Sequence, residues 1–212
     1  MNPLSTTNRS TLRRSQHRGL ADRTALYEIL DAGLVCHLGV LVHGSPRVIP
    51  TGYGRIGDTL YLHGSSGARS LRSDGEVCVT VTHLDGIVLA RSTFHHSMNY
   101  RSALIFGTPR QTEGEEKLAG LQAITEQLAP GRWAVTREPD RRELAGTSVL
   151  ALSLAEASVK VRTGPPVDDD DDHALEVWAG VLPVVRSFGE PVPDPLLRPG
   201  IEVPAHVALR RS

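Results

Sequence analysis

The sequence predicts a mainly β (α+β) fold: a closed or partly open barrel of short strands with flanking helices. Three observations predict it. Short apolar or alternating runs recur along the chain, glycine- and aspartate-bearing turns join them, and two segments carry clear helical spacing. A parallel doubly wound sheet would need a helix between successive strands, and the pattern does not supply one.

The elements follow in order. Asp22 precedes "RTALYEILDAG", where Ala25, Leu26, Ile29 and Leu30 share one helical face. Aspartate is a good N-cap and Gly33 a good stop, so a helix of about ten residues is expected. The run "LVCHLGVLV" (34–42) reads as a strand buried on both faces, "HGSP" as a turn, and "RVIPT" (47–51) as the returning strand. Gly57-Asp58 marks a second hairpin between "YGRI" and "TLYLHG". "EVCVTVTHL" alternates strictly, and "GIVLARS" (86–92) is expected to return after a turn at Asp85-Gly86. "YRSALIFGTPRQT" (100–112) is a further strand, with Pro109 at an edge or bulge. Residues 115–130 carry Leu118, Leu121, Ile124, Thr125 and Leu128 at helical spacing and close on Pro130-Gly131. "TSVLALSL" and "ASVKVRT" are two more alternating strands.

Three segments stand outside this pattern. The first twenty residues hold Arg9, Arg13, Arg14 and Arg18 and read as a flexible, solvated basic leader. "DDDDD" (168–172) reads as a solvated loop with no metal role, since adjacent like charges repel. From Pro183 onward six prolines forbid a helix of any length, which predicts an extended arm lying on the barrel or on a partner, or disorder.

Composition narrows the function classes. The chain has 212 residues, room for one sizeable core, and a formal net charge of −1, so charge gives no case for nucleic acid or a membrane surface. Aromatics at 4% argue against stacking platforms for single strands. Two cysteines, Cys36 and Cys78, sit in apolar runs and make neither a disulfide framework nor a zinc knuckle, which fits a reducing cytoplasm. No run has the length of a signal core or a membrane span.

Three clusters offer chemistry. In "HGSSGARSLRS" (63–73), Gly64 and Gly67 free the backbone, Ser65, Ser66 and Ser70 supply hydroxyls, and Arg69 and Arg72 supply guanidinium forks suited to phosphate. The same ingredients make a plain polar turn, and the residues alone leave both readings open. The connection "STFHHSMNYRSALIFG" (92–107) brings His95, His96, Asn99, Tyr100, Arg101 and Ser102 into one stretch, where adjacent His95 and His96 point different ways. In "RVIPTGYG" (47–54), Pro50 removes a ladder donor, while Gly52 and Gly54 permit close approach to a flat ligand or mark a bulge. Gly52, Gly54 and Gly57 have the G-x-G-x-x-G spacing but run on into "TLYLHG" and open no helix, so a dinucleotide site is not expected; P-loop and nucleophile-elbow glycine motifs are absent, as is zinc-ligand spacing.

The order "RVIPTGYG", "LYLHGSSGARSL", "VCVTVT", "NYRSALIFG" resembles the pyridoxamine 5′-phosphate oxidase-like flavoproteins, nearest to their flavin-nucleotide-binding or nitroimidazole-resistance-like branch. The resemblance covers roughly residues 20–182 and implies a six-stranded split β-barrel of Greek-key type, paired as a homodimer with FMN in clefts at the interface. It divides the chain into the leader (1–20), an FMN-binding domain (21–182) and the proline-rich arm (183–212). Position by position it lays Arg47, Val48, Ile49, Pro50 and Thr51 along the isoalloxazine, continued by Leu62 and His63. Ser66 and Arg69 hold the phosphate, with Arg72 a weaker candidate, and Ser102 approaches from its own strand. On that basis the 63–73 stretch is a cradle. The oxidase proper carries a Ser-Arg-Lys run and a C-terminal substrate-gripping segment; this chain has neither, although Trp178 is present.

The implied function is an FMN-dependent oxidoreductase, a reductase of small electron-poor compounds, and not a true pyridoxamine phosphate oxidase. His63, His95 and Tyr100 are the candidate proton donors. The alternatives are a flavin carrier without turnover, the same barrel holding haem on His63, His95 or His96, or one holding a deazaflavin.

Overall fold

The computed structural model describes residues 3–4, 7–13, 16–67 and 75–210. Helix α1 (Arg23–Ala32) begins where Asp22 accepts a hydrogen bond from the Thr24 backbone N–H at 2.9 Å, and it buries Leu26, Ile29 and Leu30. Its stop at Gly33 has a steric cause. Gly33 lies at φ −86°, open to any residue, but a Cβ there would meet the Tyr53 hydroxyl at 2.2 Å.

The strands are β1 (Gly19–Leu20), β2 (Cys36–Val42), β3 (Ser45–Thr51), β4 (Tyr53–Ile56), β5 (Thr59–Ser65) and β6 (Val77–Leu89). They continue with β7 (Ser97–Gly107), β8 (Arg110–Gln111), β9 (Thr147–Ser153), β10 (Ala157–Arg162) and β11 (Gly180–Pro183). One sheet runs β1-β10-β7-β6-β2-β3 with β11 added on β6; the other runs β4-β5-β9-β8. Every pairing is antiparallel. The chain passes between sheets at Gly52, and again at Thr108-Pro109, where the expected 100–112 strand breaks. This is a split barrel.

Its core lies between the sheets and under α1. Leu38, Val79 and Ile105 from the first sheet meet Tyr53, Leu60, Leu62 and Leu152 from the second. Each such side chain contributes about 1.5–3 kcal/mol on leaving water. Helix α2 (Gly114–Leu128) covers the outer face of the second sheet, packing Ile124 on Tyr61, Val149 and Ala151. It lies so close to β4 that a Cβ on Gly54 would stand 2.4 Å from the Ala123 carbonyl carbon and the Ile124 nitrogen. The short helices α3 (Arg141–Gly146) and α4 (Ala205–Ala208) lead into β9 and stand near the chain's end, respectively.

Three sequence expectations change. Asp85-Gly86 is a bulge inside one continuous β6, not a turn. Asp85 is held by Arg101 of the neighbouring strand at 2.8 and 2.9 Å, and Gly86 lets β11 approach: its Cβ would meet Val181 at 2.9 Å. The leader is docked where it is described. Leu4 is buried, β1 pairs with β10, and Arg9 forks to Glu76 and Glu156, partners far off in sequence. The aspartate run is not wholly solvated either, because the Asp168 side chain is 1% exposed and accepts from the Arg91 backbone and guanidinium, both at 2.9 Å. Among the described residues no helix is long and apolar enough to cross a membrane.

Candidate functional site

Among the described residues strand β3 is a sheet edge, with one side of its backbone free of a partner strand. Arg47, Val48 and Pro50 are exposed, Ile49 and Thr51 half-buried, and Ile49 packs on the core. Arg47 makes no ion pair among the described residues. Because Tyr53 stands opposite Leu62, the Thr51-Gly52 end of β3 arrives beside His63-Gly64 of β5. Leu62 is fully buried in the core, which leaves its backbone alone for a ligand. His63 faces the other side of β5. Its Nδ1 is buried without a partner among the described residues, and burial holds its pKa below the ordinary value. The turn beyond is pinned by the Ser66 backbone N–H donating to Gly146 O at 3.0 Å, and by Gly67 N–H donating to Ser65 Oγ at 3.2 Å. Arg69, Ser70 and Arg72 lie outside the described residues.

Other expected site residues stand apart from this edge. Ser102 is in β7, three inter-strand steps from β3, about 14 Å at ordinary strand spacing. It is buried, and its hydroxyl donates to Lys160 O at 3.4 Å. Tyr100 pairs with Leu84 and Arg162. His95 closes a 3₁₀ turn, Thr93–His95, with Nε2 3.3 Å from Asp169; these two and Asp172 offer ligand atoms within 4.8 Å of one another at the surface. His63, His95 and Tyr100 therefore sit on separate elements with no partner in common.

The structure brings a different set together. A cavity of about 1140 Å³ lies between the end of α1, the bulged stretch of β6, the end of α2 and the C-terminal arm. Leu34, Leu84, Pro130, Val184, Val185, Phe188 and Leu209 give it apolar walls, and His83, His206, Arg101, Arg186 and Arg210 give it polar ones. Its floor is the capped end of α1. Gln127 Nε2 reaches the carbonyls of Leu30, Asp31 and Gly33 at 3.1, 3.0 and 2.6 Å, Tyr53 OH donates to Leu30 O at 2.5 Å, and Arg186 donates to Ala32 O at 2.9 Å. Helix ends leave such carbonyls unpaired, and here side chains from three other elements satisfy them.

His83 Nε2 lies 2.9 Å from Ile29 O. A carbonyl only accepts, so this nitrogen carries the proton and Nδ1 keeps the lone pair in the neutral ring. His206, beside Gly131 on α4, has a buried Nε2 with no partner. Arg101 is neutralised by Asp85, whereas Arg186 and Arg210 have no carboxylate partner among the described residues; Arg210 stacks on Phe188 at 4.5 Å. Of this set the sequence singled out Arg101 alone. His83 sits in a strand run like any other, and His206, Arg186 and Arg210 belong to an arm without periodicity.

Comparison with known proteins gives the same fold. A family model described as pyridoxamine 5′-phosphate oxidase matches residues 22–161. The flavocytochrome Anf3 of Azotobacter vinelandii is 37% identical, with a TM-score of 0.91 over 97% of each chain. An FAD- and haem-binding protein of Mycobacterium smegmatis is 38% identical, with a TM-score of 0.86 over 90% of this chain and 95% of that one. A Bacteroides thetaiotaomicron chain named for 5-nitroimidazole antibiotic resistance shares the fold at 24% identity, with a TM-score of 0.57 over 68% of this chain and 86% of that one. No curated protein matches. With two thirds of its length under the family model and two full-length relatives above 35% identity, the chain belongs to the pyridoxamine 5′-phosphate oxidase family of split barrels.

Proposed function

We propose that this chain is a flavin- and haem-binding redox protein that works as a homodimer. The observation that carries the reading is the cavity of about 1140 Å³, with its two imidazoles and two arginines free of carboxylates, in a chain that matches a flavocytochrome over 97% of both lengths. Its apolar walls suit a porphyrin face, Arg186 and Arg210 suit propionates, and His83 suits the iron. The Ile29 carbonyl orients the His83 ring as outer-shell acceptors orient metal-binding histidines generally.

The flavin belongs at the β3 edge. Arg47, Val48, Ile49, Pro50 and Thr51 line the ring there, and the unpaired strand edge offers backbone groups to ring polar atoms. Ser66 and Arg69 take the phosphate, as the family resemblance implies. FAD contains the same phosphate-bearing unit as FMN, so one cradle serves either; the 38%-identical relative named for FAD favours FAD over the FMN expected from sequence. Bound flavin and haem supply two- and one-electron chemistry, and the protein supplies placement and access. His63, whose pKa burial holds below the ordinary value, is the candidate proton donor on the strand beside that edge.

Ser102, buried and about 14 Å from β3 by strand count, does not touch a flavin at that edge, so a second copy is supported by the surface and not by Ser102. The exposed apolar side chains support that copy: Val48 is 70% exposed and Phe94 90%. Reduction of a small electron-poor compound is the activity such a site serves. The free cysteines Cys36 and Cys78 suit a reducing cytoplasm.

The test is the absorbance spectrum of purified protein, with hemin, FAD and FMN titrations of any missing band. Soret and flavin bands together, with Arg47→Ala or Arg69→Ala weakening flavin and leaving the Soret band, support the reading. Flavin alone removes the haem half, and neither band removes the function. Light scattering that finds a monomer removes the shared cleft.

A further inference from the structure

The C-terminal arm is a wall of the cavity with little of its own to hold it there. Every residue from 182 to 205 is exposed, and Val192 and Leu196 are each 90% exposed. Its regular structure after β11 is the single turn α4. The hydrogen bonds that tie it to the barrel among the described residues are few: Val184 N–H to Asp85 O at 3.1 Å, Arg186 to Ala32 O at 2.9 Å and Arg210 to Gln127 O at 3.5 Å. Ordering a residue costs about 1–2 kcal/mol, and a segment that buries so little apolar surface does not offset that cost by itself.

Burial on the arm is concentrated at one place. His206, Val207 and Arg210 are half-buried, and all but Val207 line the cavity. Within that cluster the Nε2 of His206 is buried and has no hydrogen-bond partner among the described residues. A buried nitrogen without a partner costs about 1–3 kcal/mol, a cost that a partner reached by turning the ring toward the cavity would remove. His83 on β6 lines the same cavity, its own Nε2 already committed to Ile29 O.

We infer that His206 supplies a second imidazole to the haem iron and that this bond fastens the arm, so that residues 184–210 close over the cavity when iron porphyrin occupies it. The inference rests on the haem reading above. It makes the arm regulatory, because the state of the iron site decides whether the cavity is shut or open to solvent and to small ligands. With His206 bound, a small ligand would reach the iron only after His206 let go, and the arm would open with it.

The experiment is hydrogen–deuterium exchange of the full chain in four states: haem-free, loaded with hemin, loaded with iron-free protoporphyrin IX, and His206→Ala loaded with hemin. Hemin is expected to slow exchange across 184–210 by about tenfold or more, and the iron-free ring to do much less. His206→Ala is expected to keep a Soret band through His83, shifted from that of wild type, while its arm exchanges as in the haem-free protein. Equal arm protection with and without hemin, or in His206→Ala and wild type, overturns the inference and leaves the haem reading standing. A second copy that already holds the arm would give the first of those results. No Soret band in wild type on titration with hemin overturns the haem reading and the strap together.

Discussion

The His83 imidazole donates from Nε2 to the Ile29 carbonyl at 2.9 Å, joining bulged β6 to the last turn of α1 at the cavity wall. One bond thus sets both a helix end and the tautomer of the ring beside the cavity. Replacing His83 by Ala should lower hemin affinity by at least about tenfold, the scale seen when metal-site partners are removed. It should cost the fold only about 1 kcal/mol, the usual worth of one hydrogen bond. Hemin titration and urea unfolding on the same variant separate the two. Unchanged hemin affinity would move the iron ligand elsewhere.

Glycine positions give a test of the packing. Gly54→Ala puts a Cβ 2.4 Å from the backbone of α2, which cannot yield without lifting the helix from β4. Overpacking of that kind costs about 1–3 kcal/mol or more. Gly44→Ala meets nothing within 4 Å, and its φ of +74° should cost about 1 kcal/mol. Urea midpoints should rank the two in that order, and equal values would mean that α2 does not press on β4.

The leader's clamp makes an acid-sensitive prediction. The Arg9 guanidinium, helped by the Thr7 hydroxyl, holds the Glu156 carboxyl at about 2, against 4.5 ordinarily, and lowers Glu76 as well. Folded pKa values below the unfolded ones mean that the unfolded state binds more protons as the pH falls. The stabilisation is complete above the unfolded value near 4.5 and disappears as the pH drops toward 2. Arg9→Ala should therefore melt below wild type at pH 7, with a gap that closes by about pH 2. Melting scans from pH 7 to 2 check it, and a gap independent of pH would show that the clamp acts by packing.

Thiol reactivity reports burial on the two strands. Burial pushes the Cys36 thiol up to about 12, and Cys78, half-buried, is raised for the same reason. A disulfide reagent should label Cys78 first and reach Cys36 only as the protein unfolds. Equal native rates would contradict the position of Cys36 in the core.

Much of the barrel was legible because its signals are local. Asp22 caps α1, His43-Gly44 and Gly57 turn the hairpins with positive φ, and β9 and β10 form at the two strand runs near the end of the domain, although consecutive residues on them are buried where the sequence alternates. The misreadings share one cause: a local signal was overruled by a distant partner. Asp85-Gly86 looks like a turn until Arg101 and β11 claim it, Asp168 looks solvated until Arg91 buries it, and the leader looks free until Glu76 and Glu156 bind Arg9.

The sequence by itself determined the mainly β architecture, its two main helices, most strand positions and the ordered motifs that mark the family. Periodicity and turn chemistry depend on residues a few places apart. Only the tertiary structure decided that β6 runs through its glycine, that Ser102 lies three strands from β3, and that a cavity gathers His83, Gln127, Arg186 and His206. Those four stand on β6, α2 and the arm. A pocket made across such separations depends on how the chain closes on itself, which no local spacing records.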